Sequence, residues 1–296
     1  MAAHTSDPQS AIRAIPIWSG PVEIEPLPGG ITNQNYLVSD GSRRAVVRYG
    51  GDIPVHGVMR FNELAAAKAA AAAKISPRVL YAVAPFLVMD FIEGRTYGPE
   101  DVRENRERCV SLIKRAHREM PAHLRGPTLC FNVFHVIRDY AHSLQDKGSR
   151  AVPLLAQLLE RARKLERAVG PVDLVFAHND LLAANFIDDG SRLWLIDWDY
   201  AGWGTPLFDL GGLSSNNGFT TGENDFMLGD YFETPVDDAL RRKLHAMLAA
   251  SLLRESMWSM ISELTSVIEF DYVSYTQENL GRFEAAFVAF EEMEKS

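Results

Sequence analysis

The sequence predicts an α+β protein with a small β-rich N-terminal lobe followed by a larger, mostly helical C-terminal lobe. Short strand-like runs broken by turn signals crowd the N-terminal third of the chain. Beyond Gly94 the texture changes, and apolar residues recur at helical spacing. The length, 296 residues, exceeds what one compact core usually needs, and 47% hydrophobic with 23% charged residues is ordinary globular composition. The boundary is expected near Glu93–Gly94, giving lobes 1–92 and 93–296.

The first twenty or so residues are mixed in character and are expected to be only partly ordered. Ile24 leads into the turn Pro28-Gly29-Gly30. Strands are expected around 36–38, 45–49, 79–81 and 86–91, with a turn at Asp40-Gly41. Residues 61–74 are dominated by alanine, the best helix former, and read as a helix. In the second lobe, helices are expected over 102–120, 133–145 and 154–169. In the last of these Leu154, Leu155, Leu158, Leu159, Ala162 and Leu165 share a face. Two strand-like pieces, 174–178 and 193–200, flank the Asp188-Asp189-Gly190 turn. Two long helices, 237–264 and 277–293, close the chain, the second with Leu280, Phe283, Phe287 and Phe290 as a buried stripe. A cleft between two such lobes is a natural ligand site.

The formal net charge is −9, which disfavours polyanionic partners such as nucleic acid or anionic membranes and is compatible with a cationic substrate. Cys109 and Cys130 lack the paired spacing of a zinc site or a disulfide framework and read as reduced thiols. No secretory signal and no stretch of membrane-spanning length is visible, so stable membrane insertion is not expected and the chain reads as cytoplasmic. The oligomeric state stays open, a dimer being one option.

The strongest chemical signal is His178-Asn179-Asp180-Leu181-Leu182-Ala183-Ala184-Asn185, followed by Leu195-Ile196-Asp197-Trp198-Asp199. Phosphoryl transfer needs a carboxylate near the attacking hydroxyl, oxygen ligands for a divalent cation, and cations on the phosphates. Asp180, in a loop after a strand, is placed to accept the hydroxyl proton. Asn185, five residues on, and Asp197, returned by a hairpin, are the expected Mg2+ ligands, since magnesium prefers oxygen. The joint pattern matches the catalytic loop and metal-binding aspartate that kinases share, which implies ATP as the phosphoryl donor.

With H-N-D in place of H-R-D and Ile196-Asp197-Trp198 in place of D-F-G, the chain resembles the choline/ethanolamine kinases within the aminoglycoside phosphotransferase-like superfamily. The resemblance runs from Gly29 to about Arg282 and implies a protein-kinase-like two-lobe fold, with 1–92 as the nucleotide-binding lobe and 93–296 as the catalytic and substrate-binding lobe. Gly29-Gly30-Ile31-Thr32-Asn33-Gln34-Asn35-Tyr36 is similar to that family's phosphate loop. Its glycines let backbone N–H groups approach phosphate oxygens, and Thr32 and Asn33 can donate further bonds. Arg48 stands where most kinases carry a phosphate-contacting lysine, and guanidinium can bind phosphate bidentately. Glu63 would hold Arg48 in place, a helix N-terminal carboxylate being the alternative. Met89-Asp90-Phe91-Ile92 resembles the hinge, whose backbone, at Asp90 and Ile92, would meet adenine. Asp209 is expected to brace the catalytic loop.

The stretches around Trp258 and from Ser266 to Tyr275 look like the C-terminal segment of choline/ethanolamine kinases. The resemblance implies that Trp258 and Tyr275 help build an amine pocket, where an aromatic face attracts an ammonium, with Asp180 as a balancing charge. Packed core aromatics are the alternative. Glu255 stands where choline kinases often place a second tryptophan. That weakens the case for trimethylammonium and leaves ethanolamine or another amine-bearing alcohol open, because a carboxylate can accept hydrogen bonds from a primary ammonium. The expected activity is phosphorylation of a small amino alcohol, choline or ethanolamine. A relative acting on an aminoglycoside, thiamine or a sugar is the alternative, and a catalytically silent kinase-like binding protein a further one.

Overall fold

In the computed structural model, residues 7–28 and 33–295 are described. The chain opens with helix α1 (Pro8–Arg13), whose N-cap Asp7 accepts a hydrogen bond from Gln9 N. Strands β1 (Glu23–Leu27), β2 (Gln34–Ser39), β3 (Arg44–Tyr49), β4 (Val79–Val83) and β5 (Phe86–Asp90) then form one antiparallel sheet in the order β1-β2-β3-β5-β4. Successive side chains of a strand point to opposite faces, so the register sorts them. Tyr36, Val38, Ala45, Val47 and Val88 share one buried face, against which Ile12 and Ile15 pack. This packing orders residues that the sequence reading expected to be only partly ordered. The opposite face presents Leu37, Val46, Arg48, Leu87 and Met89; of these Leu37, Val46 and Met89 are only partly buried.

Helix α2 (Arg60–Ala72) interrupts the sheet between β3 and β4. Its buried alanines, Ala66, Ala69 and Ala70 among them, put no long side chain between the helix and the rest of the core. Gly94 lies just past β5 and close to the backbone of Asp188: a Cβ there would sit 2.7 Å from the Asp188 carbonyl oxygen, so only glycine fits without a shift.

Beyond Gly94 come β6 (Arg95–Thr96), α3 (Pro99–Glu104) and α4 (Arg106–Glu119). The single helix expected over 102–120 is two helices. Asn105 leaves helical geometry between them (φ −106°, ψ 25°) and its side chain donates to Asp101 O at 2.8 Å, a local bond that competes with helix continuation. Helices α5 (Val133–Asp146) and α6 (Val152–Val169) fall where periodicity placed them. Four short strands follow: β7 (Val175–Ala177), β8 (Phe186–Asp188), β9 (Leu193–Leu195) and β10 (Gly202–Gly204), pairing as β6-β8-β9 and β7-β10. The strand expected over 193–200 ends at Leu195 because Asp197 turns the chain in the left-handed region (φ 68°).

Helices α7 (Pro206–Asn217) and α8 (Thr221–Phe232) were not read from the sequence, although both carry start signals. Thr205 caps the first, and a Thr220/Glu223 capping box opens the second. Helix α9 (Asp238–Thr265) is buried along much of its length, packed by α5, α6, α7 and α10 (Tyr272–Met293). Gly211 of α7 permits a close approach to α9, since a Cβ there would lie 2.8 Å from Leu248 N. Helix α10 begins at Tyr272, earlier than expected, capped by Asp271. Among the described residues no helix is long and apolar enough to cross a membrane.

Candidate active site

Strand β7 delivers the chain into a tightly braced loop. The backbone N–H groups of His178 and Asn179 donate to the Asp209 carboxylate at 2.8 and 2.6 Å, and His117 Nε2 bonds the same carboxylate at 2.8 Å. Burial alone would raise the Asp209 pKa, but the hydrogen bond and charge of His117 outweigh it and hold the group below its ordinary value. Asn179 takes left-handed geometry (φ 65°) and donates to Tyr200 O at 3.0 Å. His178 Nδ1 accepts from Asp180 N at 3.3 Å, so its proton sits on Nε2, 2.9 Å from Ile196 O. Burial lowers the pKa of this imidazole and keeps it neutral.

The loop then folds back on itself. Asn185 Nδ2 donates to Asp180 O at 2.8 Å, and Ile196 N donates to Asn185 O at 3.0 Å. These two bonds tie the loop at Asp180, the turn at residues 183–185 and the segment carrying Asp197 into one unit. With its amide nitrogen so engaged, Asn185 keeps Oδ1 as an acceptor. The Asp197 side chain is 30% exposed. An amide oxygen and a carboxylate are hard donors of the kind a divalent cation such as magnesium takes, and Asn185 and Asp197 are the residues that could hold one. The Asp180 carboxyl is pushed up to about 8, by burial first; Arg254 opposes the shift, while the charges of Glu255, Asp197 and Asp199 add to it.

Arg48, projecting from the inner face of the sheet, is buried at the centre of an ion cluster. It pairs with Glu63 of α2, with Asp197 at 2.8 Å and with Asp199 at 2.6 Å. Arg60 joins through Glu63 at 2.6 Å and Asp199 at 2.8 Å. Burial would lower the Arg48 pKa, but the carboxylates of Asp197, Asp199 and Glu63 outweigh it and raise it well above its ordinary value. Burial raises Glu63. Burial would also raise Asp199, but Arg48 and Arg60 overcome this and lower it. Neither Arg60 nor Asp199 was singled out from the sequence; the signal for Asp199 was its place two residues after Asp197.

Gly29, Gly30 and Thr32 lie outside the described residues. Asn33 is described, and both ends of its amide join the cluster: Nδ2 donates to Asp199 at 2.8 Å and Oδ1 accepts from Arg60 at 2.6 Å. The Asp90 side chain pairs with Arg78 at 2.7 Å and its backbone N donates to Arg78 O at 3.0 Å. Phe91 N donates to Arg44 O at 3.2 Å, and Ile92 follows where the chain leaves the sheet.

A cavity of about 130 Å³ opens beside the loop, and Asp180, Asp197, Tyr200, Glu255, Trp258 and Tyr275 all line it. Trp258 is buried; its Nε1 donates to the Tyr200 hydroxyl at 2.9 Å and its ring lies against His56, centroids 5.1 Å apart. Glu255 accepts from the Tyr275 hydroxyl at 2.8 Å on one oxygen and from Arg254 Nη1 at 2.8 Å on the other. Arg254 also lines the cavity, its guanidinium 4.3 Å from the Tyr200 ring centroid. Sequence reasoning passed over it because a mid-helix arginine reads as part of a solvated face. Its apolar neighbours Leu252, Leu253 and Met257 were the available signal.

The chain is similar in sequence and fold to known proteins. The family described as phosphotransferase enzyme family (APH) matches residues 23–247. Mouse ethanolamine kinase 2 is 26% identical over 280 residues, covering 83% of this chain and 71% of that protein. The crystal structure of a choline/ethanolamine kinase family protein from Mesorhizobium loti superposes with a TM-score of 0.76 at 26% identity, covering 94% of this chain and 93% of that one. For choline kinase LicA from Streptococcus pneumoniae the TM-score is 0.74 at 24% identity, covering 89% and 93%. With a kinase-like fold, a braced H-N-D loop and a family match over most of its length, the chain belongs to the phosphotransferase enzyme family and is choline/ethanolamine kinase-like.

Proposed function

We propose that this chain is an ATP-dependent phosphotransferase that phosphorylates the hydroxyl of a small amino alcohol, with ethanolamine and choline as the reference substrates. One observation carries the reading: Asp180 and Asp197 face the same small cavity as Trp258, Tyr275 and Glu255. A reacting hydroxyl and an ammonium group a few bonds away can therefore be held together.

In the proposed reaction the substrate hydroxyl oxygen forms a bond to the γ-phosphorus. The bond from that phosphorus to the bridging oxygen breaks, and the electron pair leaves on ADP. Asp180 orients the hydroxyl and takes its proton. Its raised pKa suits a base working near neutrality. Arg48, steadied by Glu63 and Asp199, supplies positive charge toward the phosphates. Leu37, Val46 and Met89 give the base an apolar ceiling on the inner face of the sheet, and the segment at Asp90 and Ile92 offers backbone groups to its edge. Asn185 and Asp197 would hold Mg2+, which neutralises charge developing on the phosphate oxygens. The aromatic rings of Trp258 and Tyr275 would face the ammonium. Glu255 favours a primary ammonium, which can donate to a carboxylate as a quaternary one cannot, so ethanolamine is the better fit of the two reference substrates.

The test is a steady-state screen of ATP-dependent phosphorylation across ethanolamine, choline, thiamine and an aminoglycoside, reporting kcat/KM. The expected result is the highest value for an amino alcohol, with ethanolamine above choline. An aminoglycoside or thiamine at the top would overturn the substrate reading.

A further inference from the structure

One histidine takes no part in the reaction above and is buried behind the cavity wall. His56, 8% exposed, closes a short 3₁₀ turn (Pro54–His56) in the segment between β3 and α2. The segment is pinned at its neck, where Ile53 N donates to Val58 O at 2.8 Å and Val58 N to Ile53 O at 3.2 Å. Gly57, left-handed at φ 72°, lets the chain turn back there. The turn sets the imidazole between two helices of the second lobe. Nδ1 lies 3.0 Å from the Tyr140 hydroxyl of α5, and Nε2 lies 3.2 Å from the Ser262 hydroxyl of α9. Burial first, and then the charge of Arg254, push the pKa down to about 3, so the ring is neutral. A neutral imidazole donates at one nitrogen and accepts at the other, and a hydroxyl can answer either way. Both nitrogens are therefore satisfied.

Trp258 stands one helical turn before Ser262 on α9, and the His56 ring lies across it, centroids 5.1 Å apart and planes 30° apart. The indole is thus held twice, by the His56 ring against it and by its own Nε1–H, which donates to the Tyr200 hydroxyl at 2.9 Å. Tyr200 and Trp258 both line the cavity beside Asp180. An apolar side chain could fill the place of His56. Two directional bonds to two different helices fix an orientation as well. The attraction of a ring for an ammonium depends on where its face points, so a wall of this kind needs its plane fixed.

We propose that His56 is a positioning residue of the acceptor site: keyed between α5 and α9, it sets the plane of the Trp258 ring from the N-terminal lobe. The inference rests on the phosphotransferase reading and adds no step to its chemistry. His56 is not one of the residues that line the cavity, and it acts through Trp258. The same segment runs directly into α2. There Asn62 donates to Ala201 O at 2.7 Å and accepts from Leu129 N at 2.9 Å, and Glu63 meets Arg48. One stretch of chain, residues 53–63, therefore supports both the wall for the amine and the arginine cluster assigned to the phosphates.

The test separates positioning from stability. KM and kcat for ethanolamine and choline, and KM for ATP, are measured in the wild-type chain, His56→Ala and Leu165→Ala. Leu165, fully buried on α6, provides a loss of core packing away from the cavity. His56→Ala should raise the KM for the preferred amine about tenfold, while kcat and the KM for ATP change by less than about twofold. Leu165→Ala should lower the thermal midpoint and leave the amine KM unchanged. Tyr140→Phe and Ser262→Ala each remove one hydroxyl and should raise the amine KM by about two- to fivefold. Hydrogen exchange at the Trp258 indole N–H, followed by NMR and assigned by its absence in Trp258→Phe, should be faster in His56→Ala than in Leu165→Ala. An amine KM unchanged in His56→Ala, or raised equally in Leu165→Ala, overturns the proposal. If His56→Ala does not fold, the two hydroxyl variants decide, and an unchanged amine KM in both overturns it. If the wild type phosphorylates neither amine, the amino-alcohol reading fails on its own. The indole exchange then decides whether His56 holds Trp258, and a rate no faster than in Leu165→Ala means that it does not.

Discussion

Replacing Asp180 with asparagine should remove activity and, less obviously, make the fold more stable as the pH rises. Burial is the main reason this carboxyl is pushed up to about 8, while Arg254 pulls the other way and the charges of Glu255, Asp197 and Asp199 add to the rise. An aspartate in an unfolded chain titrates near 3.9. Between these values the native state keeps a proton that the unfolded state has lost, so ionisation favours unfolding. Stability then falls by about 1.36 kcal/mol per pH unit through this one group. From about pH 5.5 to about pH 7.5 the full effect is roughly 2.7 kcal/mol, and solvent reaching the cavity reduces it to about 1–2 kcal/mol. Asp180→Asn lacks this dependence. For a chain of this length its thermal midpoint should gain on the wild type by on the order of 2–4 °C across that window. The gain should level off above about pH 8. The assay is differential scanning calorimetry of both proteins in matched buffers. A constant offset at every pH, or a variant that loses ground as the pH rises, would refute the claim that the native site holds this proton.

The same proton governs turnover: if Asp180 must be ionised to accept the hydroxyl proton, kcat/KM should climb with pH and level off near its raised value of about 8, and a flat profile from pH 6 upward would count against it. Glu63→Gln takes a carboxylate from the cluster around Arg48 and Arg60. It should cost about 3 kcal/mol in urea denaturation and raise the KM for ATP about tenfold, whereas an unchanged KM would detach Arg48 from the phosphates. Asp209→Asn replaces a carboxylate oxygen that accepts from His178 N, Asn179 N or His117 with an NH2 group that cannot accept. A loss of about 3 kcal/mol in urea denaturation and a reduced kcat at unchanged KM for ATP are expected.

The parts legible in the sequence are those fixed by local pattern. Alanine density marked α2, and leucine periodicity marked α6. The H-N-D-x-x-x-x-N spacing marked a loop that the structure ties through Asn185 to Asp180 O. What escaped depends on contacts far apart in sequence. Helix α1 is short and unremarkable alone, and is fixed by Ile12 and Ile15 against the sheet. Helix α7 is buried on nearly every side, so it has no polar face to give it a helical period. Arg60, in the first turn of a helix, reads as a surface residue until Asp199, 139 residues away in sequence, comes to meet it. Arg254 escaped for the same reason: a single basic letter on a long helix does not reveal that Tyr200, 54 residues earlier, packs its ring against the guanidinium.

The most direct measurement is single-turnover transfer of labelled γ-phosphate from ATP, with Mg2+ present, to the best acceptor found in the substrate screen, comparing wild type with Asp180→Ala. Circular dichroism and nucleotide titration would verify that the variant is folded and loaded. A rate lower by about 10²–10⁴-fold at unchanged nucleotide affinity is expected for a lost general base. An alanine variant that transfers phosphate as fast as the wild type would contradict the role given to Asp180.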